Sequence, residues 1–137
     1  MKIYENYIYK LDELKDVKII WKKHDKACII ELGIEYPTAI VDIDRLKPIP
    51  LTEDIHKSLG VVKNGFGDYE YQINKNKLIT FCGDYVYLRD LQVENKKSHY
   101  DDMCTLWNDD LRKRKMYLHE WQNLYFALTG TELEINL

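Results

Sequence analysis

With 137 residues, the chain is long enough for one domain that buries a core without disulfides or metal, and 45% hydrophobic residues supply the apolar surface. Its formal charge of −3 is spread evenly, with nine basic and nine acidic residues in 1–50, five and six in 51–90, and six and eight in 91–137; no segment reads as a nucleic-acid tail or a polyanion. No apolar run approaches the roughly 20 residues that cross a bilayer, and Met1-Lys2-Ile3-Tyr4-Glu5 meets charge at once, so neither a membrane helix nor a secretory signal is expected.

The first third reads as strands. Tyr7-Ile8-Tyr9, Val17 to Trp21, Ala27 to Leu32 and Thr38 to Ile43 are rich in β-branched and aromatic residues, and His24-Asp25 suits a hairpin turn between the second and third. Four short antiparallel strands in so little chain predict a curled sheet like a small SH3-type barrel. Pro48 and Pro50 cannot donate ladder hydrogen bonds and mark a connector. Thr52 is then a good N-cap, with Glu53 and Asp54 at the positive end of the helix dipole and Ile55 and Leu59 as an apolar stripe before Gly60. From Gly60 the period returns to two. Gly65-Phe66-Gly67 fits a turn, and Tyr69 to Ile73, Leu78 to Cys82 and Tyr85 to Leu88 form a meander around turns at Asn74–Lys77 and Gly83-Asp84. Asp90 to Tyr100 is polar and aperiodic, as a mobile loop would be. Met103 to Trp107 reads as one more strand and Asn108-Asp109-Asp110 as the turn after it.

The strongest periodic signal closes the chain. Tyr117, Leu118, Trp121, Leu124, Tyr125 and Leu128 fall within an arc of roughly 100° on a helix, the stripe of a core-facing element. Gly130 is the expected left-handed C′ residue, which ends the helix near Thr129. Beyond it Leu133, Ile135 and Leu137 alternate with Glu132, Glu134 and Asn136, which predicts a short half-buried strand.

Two segments carry a resemblance. Leu118-His119-Glu120-Trp121-Gln122-Asn123-Leu124-Tyr125-Phe126-Ala127-Leu128-Thr129-Gly130-Thr131-Glu132-Leu133 resembles the C-terminal signature of a group of small uncharacterised proteins from Bacteroidetes and their phages and mobile elements, commonly VHxLQNLYFALTGEEL. Leu46-Lys47-Pro48-Ile49-Pro50-Leu51-Thr52-Glu53-Asp54 resembles the PIPLTEE segment that these proteins carry near their middle. Departures are Leu118 for Val, Trp121 for Leu, Thr131 for Glu, and Val61 where an aromatic often follows the glycine; all but Thr131 keep apolar character. The resemblance implies a shared fold and a phage or mobile-element origin, and it supplies no catalytic residue.

Familiar catalytic patterns do not form. His119-Glu120 begins like a zincin helix, but Asn123 stands where the second histidine would be. Gly65-Phe66-Gly67 lacks the third glycine of a dinucleotide loop, no P-loop lysine follows a glycine loop, and there is no nucleophile elbow. Cys28, Cys82 and Cys104 form no CxxC pair and read as structural free thiols in a reducing cytoplasm, with Cys28 and Cys82 inside apolar runs. Asp42-Ile43-Asp44 puts two carboxylates on one strand face, best read as a solvated strand end, and His24, His56, His99 and His119 are far apart. Two surfaces stand out. His119, Gln122, Asn123 and Phe126 occupy the side of the last helix away from the core stripe, where an apolar anchor ringed by amides suits a protein interface. Arg112-Lys113-Arg114-Lys115, with Trp107 and Tyr117 nearby, is the dense basic run that nucleic acid would use.

The sequence therefore predicts an antiparallel, β-rich α+β domain. A small N-terminal curled sheet (1–47) precedes a short helix, a meander and a C-terminal helix packed on the sheet (48–137). The expected function is that of a non-enzymatic accessory protein of phage or mobile-element origin. It would act through protein contacts or as a homo-oligomer in the cytoplasm of the bacterial host, without cofactor, metal or membrane. The alternative is a small nucleic-acid-binding module using residues 112–115.

Overall fold

The computed structural model describes residues 5–12, 14–61, 63–95, 97–98, 101–109 and 111–135. Among them the chain is α+β, with two antiparallel sheets of five and four strands and two α-helices. It forms two compact units, one from Met1–Leu51 with Tyr117–Leu137 and the other from Thr52–Met116. The closing helix thus belongs with the N-terminal sheet.

In the first unit, β1 (Ile8–Leu11), β2 (Lys15–Lys23), β3 (Lys26–Glu31), β4 (Ala39–Asp42) and β5 (Leu46–Lys47) lie in the order β4-β3-β2-β1-β5. The β2–β3 hairpin turns through His24, whose φ of 55° is a conformation that histidine tolerates better than most side chains. Register then sorts the faces. Tyr9 stands opposite Val17, Ile19 opposite Ile29, Ala27 opposite Val41 and Leu11 opposite Leu46, so all of these point one way and form the core. Each fully buried valine, leucine or isoleucine there contributes about 1.5–3 kcal/mol relative to exposure. The other face carries the ion pairs Lys10–Asp16 and Lys26–Asp42. A 3-10 turn over Ile43–Arg45 links β4 to β5 and is tied back by the Arg45 guanidinium on Asp12.

Helix α2 (Leu118–Thr129) packs against β1. The Glu120 carboxylate accepts from the Tyr117 N–H at the helix start (2.9 Å), and Gly130 ends it at φ 72° with its N–H on the Phe126 carbonyl (2.8 Å). The expected C-terminal strand is not there among the described residues: 131–135 have no ladder partner. The alternation itself holds, since Leu133 and Ile135 are half-buried while Glu132 and Glu134 are exposed. Two alternating apolar side chains can rest on neighbouring surface without a backbone pairing.

The second unit holds α1 (Glu53–Ser58), β6 (Tyr69–Asn74), β7 (Lys77–Cys82), β8 (Tyr85–Asp90) and β9 (Met103–Trp107), the strands in sequence order. Thr52 caps α1 as expected, its Oγ1 accepting from the Ile55 N–H (3.3 Å). Phe81 pairs with Tyr69 on one side and Val86 on the other, and Ile79 with Tyr71 and Leu88, which gathers one apolar face. The stretch expected to be a mobile loop is held at several described points: the Leu91 N–H donates to the Asn76 carbonyl, and the Asp101 carboxylate accepts from the N–H groups of Lys97 and Ser98. Lys96, His99 and Tyr100 lie outside the described residues. Cys28 is buried as expected, whereas Cys82 is exposed at the strand end, and all three cysteines are free.

Candidate functional site

The four residues assigned to the outer side of α2 divide into two pairs. His119 and Gln122 are buried within their own unit. The His119 ring stacks on Tyr9 at 4.9 Å and on Tyr117 at 5.8 Å. Gln122 Oε1 accepts from the Ile8 N–H at 2.9 Å; β5 pairs only with Lys10 and Leu11, so the side-chain amide takes over where that strand stops. Neither side chain therefore offers the exposed surface expected of it. A hydropathy stripe places histidine and glutamine outside, but here the sheet presents a ring face and a backbone donor that suit them. Asn123 and Phe126 do face outward: Asn123 Oδ1 accepts from the Tyr7 hydroxyl (3.0 Å), and Phe126 is 46% exposed.

A cleft of about 480 Å³ opens beside this helix within the same unit, lined by Tyr7, Lys18 and Gln122 and by the tail from Glu132 to Ile135. Its side chains are of mixed charge and include no cysteine, serine or histidine.

The basic run is wound onto Asp109. The Asp109 carboxylate accepts from the Arg112 N–H (2.9 Å), its carbonyl accepts from the Lys113 N–H (2.7 Å), and it forms an ion pair with Arg114 at 3.2 Å. The Arg114 guanidinium also lies 5.1 Å over the Trp107 ring. Arg114 is therefore engaged inside its unit and is not part of a free cationic surface, whereas Arg112, Lys113 and Lys115 are exposed. Asp110 lies outside the described residues.

Two further features occur in the second unit. His56, on α1, is buried against Tyr69 (4.0 Å, stacked) and Phe81 (5.0 Å, edge-on), and its Nδ1 shares a 2.7 Å hydrogen bond with the Tyr71 hydroxyl. Burial, with help from the Lys115 charge, pushes the imidazole down to about 4, and burial raises the Tyr71 phenol. Both are thus neutral at ordinary pH. The second feature is the loop from Asn64 to Asp68. The Asn64 Oδ1 accepts from the N–H groups of Phe66 (2.8 Å) and Asp68 (3.0 Å), the Asn64 N–H donates to the Asp68 carbonyl (2.8 Å), and Gly67 adopts φ 83°. At the tip Phe66 is 88% exposed. Sequence reading recognises this stretch as a turn; the Asn-Gly-Phe-Gly-Asp pattern also holds the missed signal, an apolar ring bracketed by turn formers.

Asp42 pairs with Lys26, and Asp44 lies in the 3-10 turn, which agrees with a solvated strand end. Among the described residues no three histidine, cysteine, aspartate or glutamate side chains converge as a metal site, and no helix is long and apolar enough to cross a membrane. His99 lies outside the described residues. The chain matches no protein family, no curated protein and no solved structure with which it was compared.

Proposed function

We propose that this chain is a non-enzymatic accessory protein that acts through contacts with other proteins in the cytoplasm of a bacterial host, with an origin in a phage or mobile element. The observation that carries the reading is Phe66. A loop pinned by five hydrogen bonds from or to Asn64 holds a phenyl ring out into solvent, where it has no packing role. An aromatic anchor ordered before contact loses little conformational freedom on binding, and such rings dominate the energy of small interfaces. Phe126, beside Asn123 in the other unit, offers a second exposed ring of the same character. The buried His56 supports the non-enzymatic part, because its Nδ1 is committed to Tyr71 and its ring faces are covered. The origin is supported by the sequence resemblance at Leu46–Asp54 and Leu118–Leu133.

The test is capture from the native host with the parent chain and with Phe66→Ala. One partner retained by the parent and lost by the variant, at unchanged melting temperature, supports the reading; capture that is indifferent to Phe66 and Phe126 overturns it. The exposed Arg112, Lys113 and Lys115 favour a second reading, a nucleic-acid contact. Tight binding to DNA or RNA that weakens steeply with salt, and less steeply after these three are changed to Gln, would establish it instead.

A further inference from the structure

The loop that carries Phe66 also holds a chemical arrangement of its own, which stands whether or not that ring meets a partner. Asn64 is the asparagine of this chain that precedes a glycine; the others precede tyrosine, lysine, aspartate or leucine. Beside a glycine the backbone nitrogen of the following residue can reach the side-chain amide, because no Cβ hinders the approach. Closing a ring between adjacent residues then needs only rotation about the bonds of Asn64 itself.

The structure surrounds this pair with the groups that such a closure needs. The Gly65 N–H, whose nitrogen would attack, makes no hydrogen bond among the described residues. The Asn64 carbonyl accepts from the Gly67 N–H (3.1 Å), which draws electron density out of the Asn64–Gly65 peptide and eases the loss of its proton. Negative charge gathers on Asn64 Oδ1 when its carbon is attacked, and this oxygen accepts from the N–H groups of Phe66 (2.8 Å) and Asp68 (3.0 Å). Two backbone donors at such distances are what stabilises the oxyanion in acyl-transfer sites. Nδ2, the group that has to leave, donates to the Glu70 carboxylate. Asn74 is the contrast within the same unit: its Oδ1 accepts from one N–H, that of Asn76 (2.9 Å), and a lysine follows it.

We propose that Asn64 and Gly65 form a self-modification site, at which the loop converts its own asparagine through a cyclic imide. Hydroxide takes the Gly65 amide proton, and the nitrogen forms a bond to Asn64 Cγ. The Cγ–Nδ2 bond breaks and Nδ2 leaves as ammonia, its third hydrogen supplied by water, which restores the hydroxide. A second water opens the imide at either carbonyl, to aspartate or to isoaspartate at position 64. Both products lose the donor to Glu70 and set a carboxylate opposite it, and isoaspartate also adds a methylene to the main chain inside the turn. The residue that pins Phe66 is thus the one whose change releases it.

Peptide mass spectrometry of the full chain, held in warm, mildly alkaline buffer with and without urea, tests this. Urea removes both Oδ1 donors, so Asn64 converts to the acid about tenfold or more faster in the folded chain than in the unfolded one. Asn74 keeps its amide over the same time in the folded chain; fragment ions separate the two, because trypsin leaves both on one peptide. Gly65→Ala slows the conversion at unchanged melting temperature, since a Cβ there meets nothing within 4 Å and the residue lies outside the left-handed region. The readout is mass alone, so its failure is distinct from failure of the partner-capture test. A folded chain in which Asn64 keeps its amide or reacts no faster than in urea, or a Gly65→Ala variant that converts as fast as the parent, overturns the proposal.

Discussion

Each unit buries a histidine on a helix against the aromatic side chains of a sheet, and the two do so by different means. In the first unit His119 lies on the rings of Tyr9 and Tyr117, on a helix whose burial also rests on Leu118 and Trp121. In the second, His56 is the buried residue of a six-residue helix and adds a hydrogen bond to Tyr71. The first unit therefore owes α2 to apolar packing, with the imidazole as one filler among several. The second anchors α1 on the face of Tyr69, Tyr71 and Phe81 mainly through one titratable ring. Polar residues enter a core where a matching surface meets them, and how much then rests on them depends on what else the element buries.

The sharpest break of this contrast is Trp121→Ala. Trp121 is fully buried, so its loss should cost about 3–5 kcal/mol, read as a lower denaturation midpoint, with the tertiary signal of the first unit failing first. Survival of the parent midpoint would show that α2 is not held by packing.

Acid should act on the second unit. His56 has a folded pKa of about 4 against 6.5 unfolded, so within that window the unfolded chain binds a proton that the folded chain does not. The stabilisation is complete above the unfolded value and is lost as pH falls toward the folded one, by at most about 3 kcal/mol. Chemical denaturation across this range, compared between the parent and His56→Phe, should show a shallower pH slope in the variant. Equal slopes would remove His56 as the acid-sensitive group.

A smaller effect comes from Gln122→Leu, which leaves the Ile8 N–H buried without its acceptor and should cost about 1–3 kcal/mol. Hydrogen exchange at Ile8 should accelerate, and an unchanged rate would mean the amide is protected by something other than Gln122. The least effect belongs to the exposed rings. Phe66→Ala should change stability by under about 0.5 kcal/mol, and Phe126→Asp, at a half-exposed position, by under about 1 kcal/mol. A large loss from either would mark it as core.

The strands other than the two-residue β5, both helices, the Gly130 cap and the Thr52 N-cap were legible because each depends on local chemistry. Alternation of apolar residues, a helical stripe, a residue free to take φ of 72° and a hydroxyl within reach of the next turn all act over a few residues. Tertiary structure alone decided the partners. Gln122 is inside because β5 stops short of Ile8, and His119 is inside because Tyr9 faces it; Ile8 and Tyr9 are both more than a hundred residues of chain from the α2 residues they meet. Arg114 leaves the basic surface because Trp107 and Asp109 lie where it can reach both. The place of β4 at a sheet edge likewise follows from strand order, since a strand's own sequence does not say whether it has one neighbour or two. Local propensities act along the chain, whereas burial and pairing act through space; the sequence could therefore show what each segment is, but not what it touches.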